Sequence, residues 1–241
     1  MSAFLAAEWR HLVMFNYEMD PSLLGPLVPR GTELDTWKGT TYASIVAFRF
    51  LRTRILGIPV PLHRDFEEAN LRFYVRCRSG AELRRGVVFI RELVPRRAVA
   101  SLARWLYNEP YRALPMRSTV ATSPELAVQY SWQLGTDWHT VSARTGQPLA
   151  LPAAGSFEQF ITEHYWGYTR QRDASTIEYH VTHPPWAVAP ADSYRIDGDL
   201  TAVYGAALGA RLATPVSVFL VNGSPVTVSR PASLGREQEE S

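Results

Sequence analysis

The stretch Phe66-Glu67-Glu68-Ala69-Asn70-Leu71-Arg72-Phe73-Tyr74-Val75 decides how this chain is read. With a period of two it separates into two rows. Ala69, Leu71, Phe73 and Val75 point one way, and Glu68, Asn70, Arg72 and Tyr74 the other. The segment therefore reads as a strand whose apolar row needs a core. Its polar row sets an acid, an amide, a guanidinium and a phenol side by side. Such a row suits either the wet face of an antiparallel sheet or the lining of a ligand cavity.

Working outward, Ser79-Gly80-Ala81 supplies a turn and Gly86 to Leu93 the return strand of a hairpin. Thr40 to Phe50 is rich in β-branched and aromatic residues and reads as a buried strand; Trp9 to Tyr17 alternates. Asp20-Pro21 opens a turn or short helix through Leu23, Leu24 and Leu27, stopped by Pro29-Arg30-Gly31. Arg97 to Tyr107 has a helical pattern. Met116 to Arg144 reads as a meander of strands, followed by a Pro- and Ala-rich loop at Leu149 to Ala154. Ser156 reads as a helix N-cap with Gln159 completing a capping box, and the helix is expected to bring Phe157, Phe160, Ile161 and His164 onto one side. Ile177 to Thr182 is a further strand, ended by His183-Pro184-Pro185-Trp186. Tyr194 to Gly205 reads as mixed, and two short strands are expected around Asn222-Gly223-Ser224. Strands outnumber helices and few βαβ units are visible. The expected fold is mainly β, one domain over residues 1–230 with peripheral helices, and a disordered polar tail over 231–241.

The chain has 241 residues, 46% hydrophobic and 20% charged, which is ordinary for a globular protein. A net charge of +2 argues against a nucleic-acid partner held by bulk charge. The basic cluster Arg84, Arg85, Arg91, Arg96 and Arg97 reads as a solvated face. A single cysteine, Cys77, excludes a disulfide scaffold and fits a reducing, cytoplasmic setting. No run approaches the roughly 18 apolar residues that span a bilayer, and the first ten residues lack a secretory pattern, so no membrane partner is expected. No metal or cofactor is expected. His180 and His183 fall on opposite faces of a strand, and Glu163-His164 lacks a second ligand one turn on. Gly205-x-x-x-Gly209 lacks the strand that a dinucleotide site needs. Of the 25 basic residues only Lys38 is a lysine, so only one side chain can form an imine.

Four segments together resemble the YqjF-like family, a bacterial group. They are Phe66 to Val75, Gly86-Val87-Val88-Phe89, Ala103-Arg104 with Pro110-Tyr111, and Phe160-x-Thr162-Glu163-His164-Tyr165 backed by His183-Pro184-Pro185-Trp186. Asp20-Pro21-x-x-Leu24 and Leu34-Asp35 also fit. The resemblance covers roughly residues 5 to 230. It implies the acetoacetate decarboxylase-like fold, an antiparallel β-barrel or sheet with a central cavity. Acetoacetate decarboxylase uses an imine-forming lysine in a Gly-x-Pro-Lys-Lys pattern. The nearest match here, Glu109-Pro110-Tyr111-Arg112, puts Tyr and Arg where the lysines stand, and Arg cannot form an imine. Lys38 reads as an exposed turn residue.

The resemblance moves the polar row of the opening stretch toward the inside. Glu68 and Tyr111 become the expected acid–base residues. Asn70, Arg72, Tyr74, Arg104, Glu163, His183 and Trp186 become the expected binders of a small organic acid or carbonyl compound. The alternative reading is a non-catalytic ligand-binding, sensing or structural protein, and self-association is possible in either case.

Overall fold

Long alternating stretches in the first hundred residues become long strands. The structure, a computed structural model, describes residues 3–61 and 64–234, without the side chains of 102–106. The described strands are β1 (Leu5–Met19), β2 (Glu33–Leu34), β3 (Thr41–Ile55), β4 (Ile58–Pro59), β5 (Phe66–Ser79), β6 (Glu82–Val94), β7 (Tyr111–Ala113) and β8 (Met116–Ala121). They continue with β9 (Leu126–Leu134), β10 (Asp137–Thr145), β11 (Trp166–Arg170), β12 (Thr176–Thr182), β13 (Val188–Pro190), β14 (Ser193–Asp197), β15 (Ser217–Val228) and β16 (Ala232–Ser233). Five helices punctuate them: α1 (Pro21–Leu24), α2 (Arg97–Tyr107), α3 (Phe157–Thr162), α4 (Leu200–Tyr204) and α5 (Ala206–Gly209). Among the described residues, no helix is long and apolar enough to cross a membrane.

The main sheet runs β13-β15-β1-β3-β5-β6-β11-β12-β16, and β12 also pairs with β15 through Val181↔Val228 and Thr182↔Thr227. The pairing path thus returns on itself and encloses an interior. Pairing is antiparallel except for β6 with β11 and β6 with β7. At the first of these, a Cβ on Gly86 would meet the Trp166 carbonyl oxygen and the Tyr168 ring at 2.6 Å, so the close approach needs glycine. A second sheet, β14-β10-β9-β8, lies over the outer face of the first. Ala69, Leu71, Phe73 and Val75 pack there with Val128, Tyr130, Trp132 and Val141. The opposite face of β5 turns inward, where Phe66 and Tyr74 join Met14, Val46, Phe160 and Trp186. Strand β5 is therefore buried on both sides, and its polar row is interior rather than wet.

The hairpin at Gly80-Ala81, α1, α2 and the meander β8–β10 form as the sequence indicates. Ser156 caps α3 by accepting from the Gln159 backbone N–H at 3.2 Å, while Gln159 Oε1 accepts from Gly155 at 2.7 Å, one residue earlier than an ideal capping box. The helix stops at Thr162, so His164 lies beyond it, buried against Phe160.

Three expectations fail. Asn222-Gly223 does not turn: β15 runs unbroken through it because β1 pairs with it on both sides of that point. The sheet continues past residue 230, since Ala232–Ser233 pair with Ile177 and Glu178; residues 235–241 lie outside the described residues. The basic cluster is not simply solvated. Arg84 bonds Glu178 at 2.9 Å and Arg85 bonds Asp35 at 2.7 Å, because buried carboxylates stand opposite them.

Candidate functional site

The interior face of the main sheet surrounds a cavity of about 220 Å³. That is below the usual range for drug-sized ligands and suits a small metabolite. Its walls are largely aromatic, with Trp9, Phe48, Phe50, Phe66, Phe89 and Trp186 among them. The polar side chains converge from three adjacent strands. The register sets Asn70 of β5 opposite Glu92 of β6, and Glu92 beside Tyr111 of β7. Glu68 lies two residues along β5 on the same face.

These groups are linked. Asn70 Nδ2 donates to Glu68 Oε1 at 3.0 Å, and the Tyr111 hydroxyl donates to Glu68 Oε2 at 3.3 Å. Glu109, just ahead of β7, accepts from the Tyr179 hydroxyl at 2.9 Å and from Thr169. Glu68, Glu92 and Glu109 are only 3%, 2% and 4% exposed. Burial pushes the Glu68 carboxyl up to about 7; the Asn70 and Tyr111 hydrogen bonds and the Arg72 charge offset this only in part. Burial pushes Glu109 up to about 8, with the Glu68 charge adding to it. Glu92 is raised well above the carboxylate range by burial, and then by the charges of Glu109 and Glu68. One Oε2 atom on each of Glu92 and Glu109 is buried with no partner.

Arg72 is the cation facing this group. It lines the cavity, its Nε is buried without a hydrogen-bond partner, and no carboxylate forms an ion pair with it among the described residues. Its charge reaches Glu68, His164 and His183. Beyond it lies a second network. His164 Nε2 bonds Asp35 at 3.1 Å, and Asp35 also accepts from Arg85. Burial drives the His164 imidazole down to about 4 despite the Asp35 hydrogen bond, so the ring is neutral at physiological pH. Asp35 is held below the usual carboxylate range, its burial outweighed by the His164 and Arg85 contacts together. Among the described residues no three His, Cys, Asp or Glu are grouped to hold a metal ion.

Of the residues expected from the sequence, Glu68, Asn70, Arg72, Tyr111, His183 and Trp186 line the cavity. His183 stacks on Trp186 at 3.9 Å and its Nδ1 meets the Pro184 carbonyl, while Trp186 donates to Ser224. Tyr74 is buried outside the cavity lining, its hydroxyl 2.6 Å from Ser44, which in turn donates to Asn16. Glu163 is also away from the lining, accepting from Gln159 at the end of α3. The Arg104 side chain lies outside the described residues. Lys38 is exposed at a turn over the Trp37 ring and does not line the cavity. Glu92, Glu109 and the Asp35–His164 pair were not read as a site. The only signal for Glu92 is its carboxylate within Val87 to Val94, a run polar only at Arg91 and Glu92.

A family model for DUF2071, described as an uncharacterized conserved protein, matches residues 6–225. The chain belongs to the DUF2071 family. It is 27% identical over 204 residues to the uncharacterized protein YqjF of Bacillus subtilis strain 168, covering 83% of this chain and 81% of that protein. Acetoacetate decarboxylase from Legionella pneumophila superposes with a TM-score of 0.69 at 12% identity, covering 97% of this chain and 88% of that one. The enduracididine biosynthesis enzyme MppR, complexed with pyruvate, gives 0.66 at 13% identity, covering 98% and 93%. At such identities the likeness establishes that this DUF2071 chain has the acetoacetate decarboxylase-like fold, and its chemistry must be argued from its own residues.

The buried carboxyls predict an unusual pH profile for the DUF2071 chain. A carboxyl with a raised value stabilises the fold fully below its ordinary value of 4.5, and that contribution drains as pH rises through about 7 and about 8 for Glu68 and Glu109. His164 and His183, both lowered to about 4 by burial, act oppositely: their contribution is whole above 6.5 and is lost as pH falls toward 4. Stability is expected to peak at about pH 5–6. It then falls by up to roughly 1.4 kcal/mol per pH unit for each carboxyl that keeps its proton. Urea midpoints at about pH 5.5 and about pH 8.5 measure this. Glu109→Gln should flatten the alkaline limb, and a stability that rises steadily to about pH 8.5 would contradict the protonated cluster.

Proposed function

We propose that the cavity binds a small organic acid or carbonyl compound and exchanges protons with it without forming an imine. The observation that carries this reading is Arg72: a guanidinium on the cavity wall with no ion-pair partner among the described residues. An unpaired buried cation is costly, and a ligand carboxylate gripped by the planar fork would offset that cost. Glu68, pushed up to about 7, can give or take a proton near neutral pH, and Tyr111 can donate to a ligand oxygen. The same reading takes the protein as cytoplasmic and acting on a small molecule rather than on nucleic acid or a membrane. The hydrogen bonds already made to Glu68 favour, as the second reading, a protein that binds or senses the acid without changing it.

A thermal-shift screen of oxo acids, hydroxy acids and aromatic acids, with borohydride added to each stabilising acid, tests the reading. At least one acid should raise the melting temperature by about 5 °C near saturation, and borohydride should leave no adduct. A screen with no stabilising acid, or an adduct on Lys38, would overturn it.

A further inference from the structure

We propose that the cavity catalyses proton exchange at the carbon next to the carbonyl of an oxo acid, using the Glu68–Glu92 carboxyl pair in place of an imine. This rests on the reading of Arg72 as the anchor for the ligand's carboxylate.

The geometry comes from three neighbouring strands. Glu68 on β5 and Glu92 on β6 both line the cavity; the Tyr111 hydroxyl of β7 bonds Glu68, and the register sets Tyr111 beside Glu92. They are not equivalent. Both oxygens of Glu68 accept hydrogen bonds and Arg72 lies within reach of its charge. Glu92 has Oε2 buried without any partner, and the neighbouring carboxyls Glu109 and Glu68 disfavour its charge. Glu68 is therefore the member that ionises first, and Glu92 the one that keeps its proton. Two carboxyls set apart in this way are the arrangement that separates a base from an acid. Glu109 stays engaged behind them with Thr169 and Tyr179. Tyr107, Tyr179 and the neutral His183 and His164 complete the titratable groups around the cavity among the described residues.

The step balances without a co-reactant. With the acid's carboxylate on Arg72, the Glu68 carboxylate takes a proton from the carbon beside the carbonyl. The C–H electron pair becomes a C=C bond, the carbonyl π pair moves to oxygen, and that oxygen takes the Glu92 proton. An enol results, with Glu68 neutral and Glu92 ionised. Once the proton on Glu68 has exchanged with water, reversal returns a solvent-derived proton to carbon.

The test follows 4-methyl-2-oxopentanoate by proton NMR in deuterium oxide, with its binding read separately by thermal shift. The C3 protons are expected to exchange about 100-fold or more faster with the protein than in buffer. Glu68→Gln and Glu92→Gln, which preserve shape, should each bring exchange close to the buffer rate while the acid still stabilises the protein. Binding that depends on Arg72 with no exchange above buffer would overturn this inference and leave the reading beneath it standing. No stabilisation by the acid would overturn both. Exchange that survives both glutamine variants, or a borohydride-trapped adduct, would overturn the carboxyl-pair mechanism.

Discussion

Arg72→Met is expected to remove the stabilisation of the protein by organic acids while leaving the ligand-free fold at least as stable as before. Arg72 is 9% exposed, its Nε lacks a partner, and no carboxylate forms an ion pair with it among the described residues. In the empty protein no carboxylate bonds it directly, although Glu68 lies within reach of its charge, and a methionine of similar length should relieve the cost of burying it. In the proposed complex it would supply a charge-assisted fork to the ligand. Truncating one partner of such a buried pair removes about 2–5 kcal/mol, so affinity should fall by about 30-fold or more. Arg72→Lys keeps the charge but loses the planar fork and should fall between. Thermal melts with and without acid measure both effects. An acid-induced shift unchanged in Arg72→Met would show that the anchor lies elsewhere. A large loss of ligand-free stability would show that Arg72 is a structural member of the core.

Gly223→Ala is expected to destabilise the fold by on the order of 3 kcal/mol. Gly223 has φ +72°, which any residue with a Cβ adopts at a cost, and it pairs with Arg10 of β1. A Cβ there would lie 1.9 Å from the Trp9 carbonyl oxygen and 2.7 Å from a Leu12 methyl. The first obstacle is backbone in a paired strand and cannot move aside as a side-chain tip could. Trp9 and Leu12 both line the cavity, so the strain would also loosen the proposed ligand site. The urea midpoint should drop sharply and acid binding should weaken with it. A loss under about 1 kcal/mol would mean that β1 and β15 are less firmly joined here than their register implies.

The hairpin, α1, α2, the start of α3 and the two-faced strand β5 were legible because each depends on local pattern, whereas α4 and α5 were not. Alternation placed Glu68, Asn70 and Arg72 on one face, and the resemblance to a cavity-bearing fold turned that face inward. Glu92 was not legible for a specific reason. Along β6, Val87 and Phe89 face the cavity, so strict alternation would put Arg91 inside and Glu92 outside. The register slips between Leu71↔Arg91 and Arg72↔Phe89, leaving Ile90 as an extra residue. That bulge reverses the faces and turns Glu92 in. Tyr74 shows the converse: it shares the polar row, but Ser44 on β3 takes up its hydroxyl before it reaches the cavity. The Asp35–His164 contact joins residues far apart in the chain. Gly223 in a strand looked like a turn because Asn-Gly favours turns, whereas here the glycine allows close approach of β1.

The central claim is that this cavity receives an organic acid on Arg72 without covalent attachment. A crystal structure of the protein soaked with 4-methyl-2-oxopentanoate tests it most directly. The account predicts the acid inside the cavity, its carboxylate on the Arg72 guanidinium and its carbonyl oxygen toward Glu92 and Tyr111, with no bond to any side chain. An acid joined to Lys38, or bound with its carboxylate away from Arg72, would contradict it.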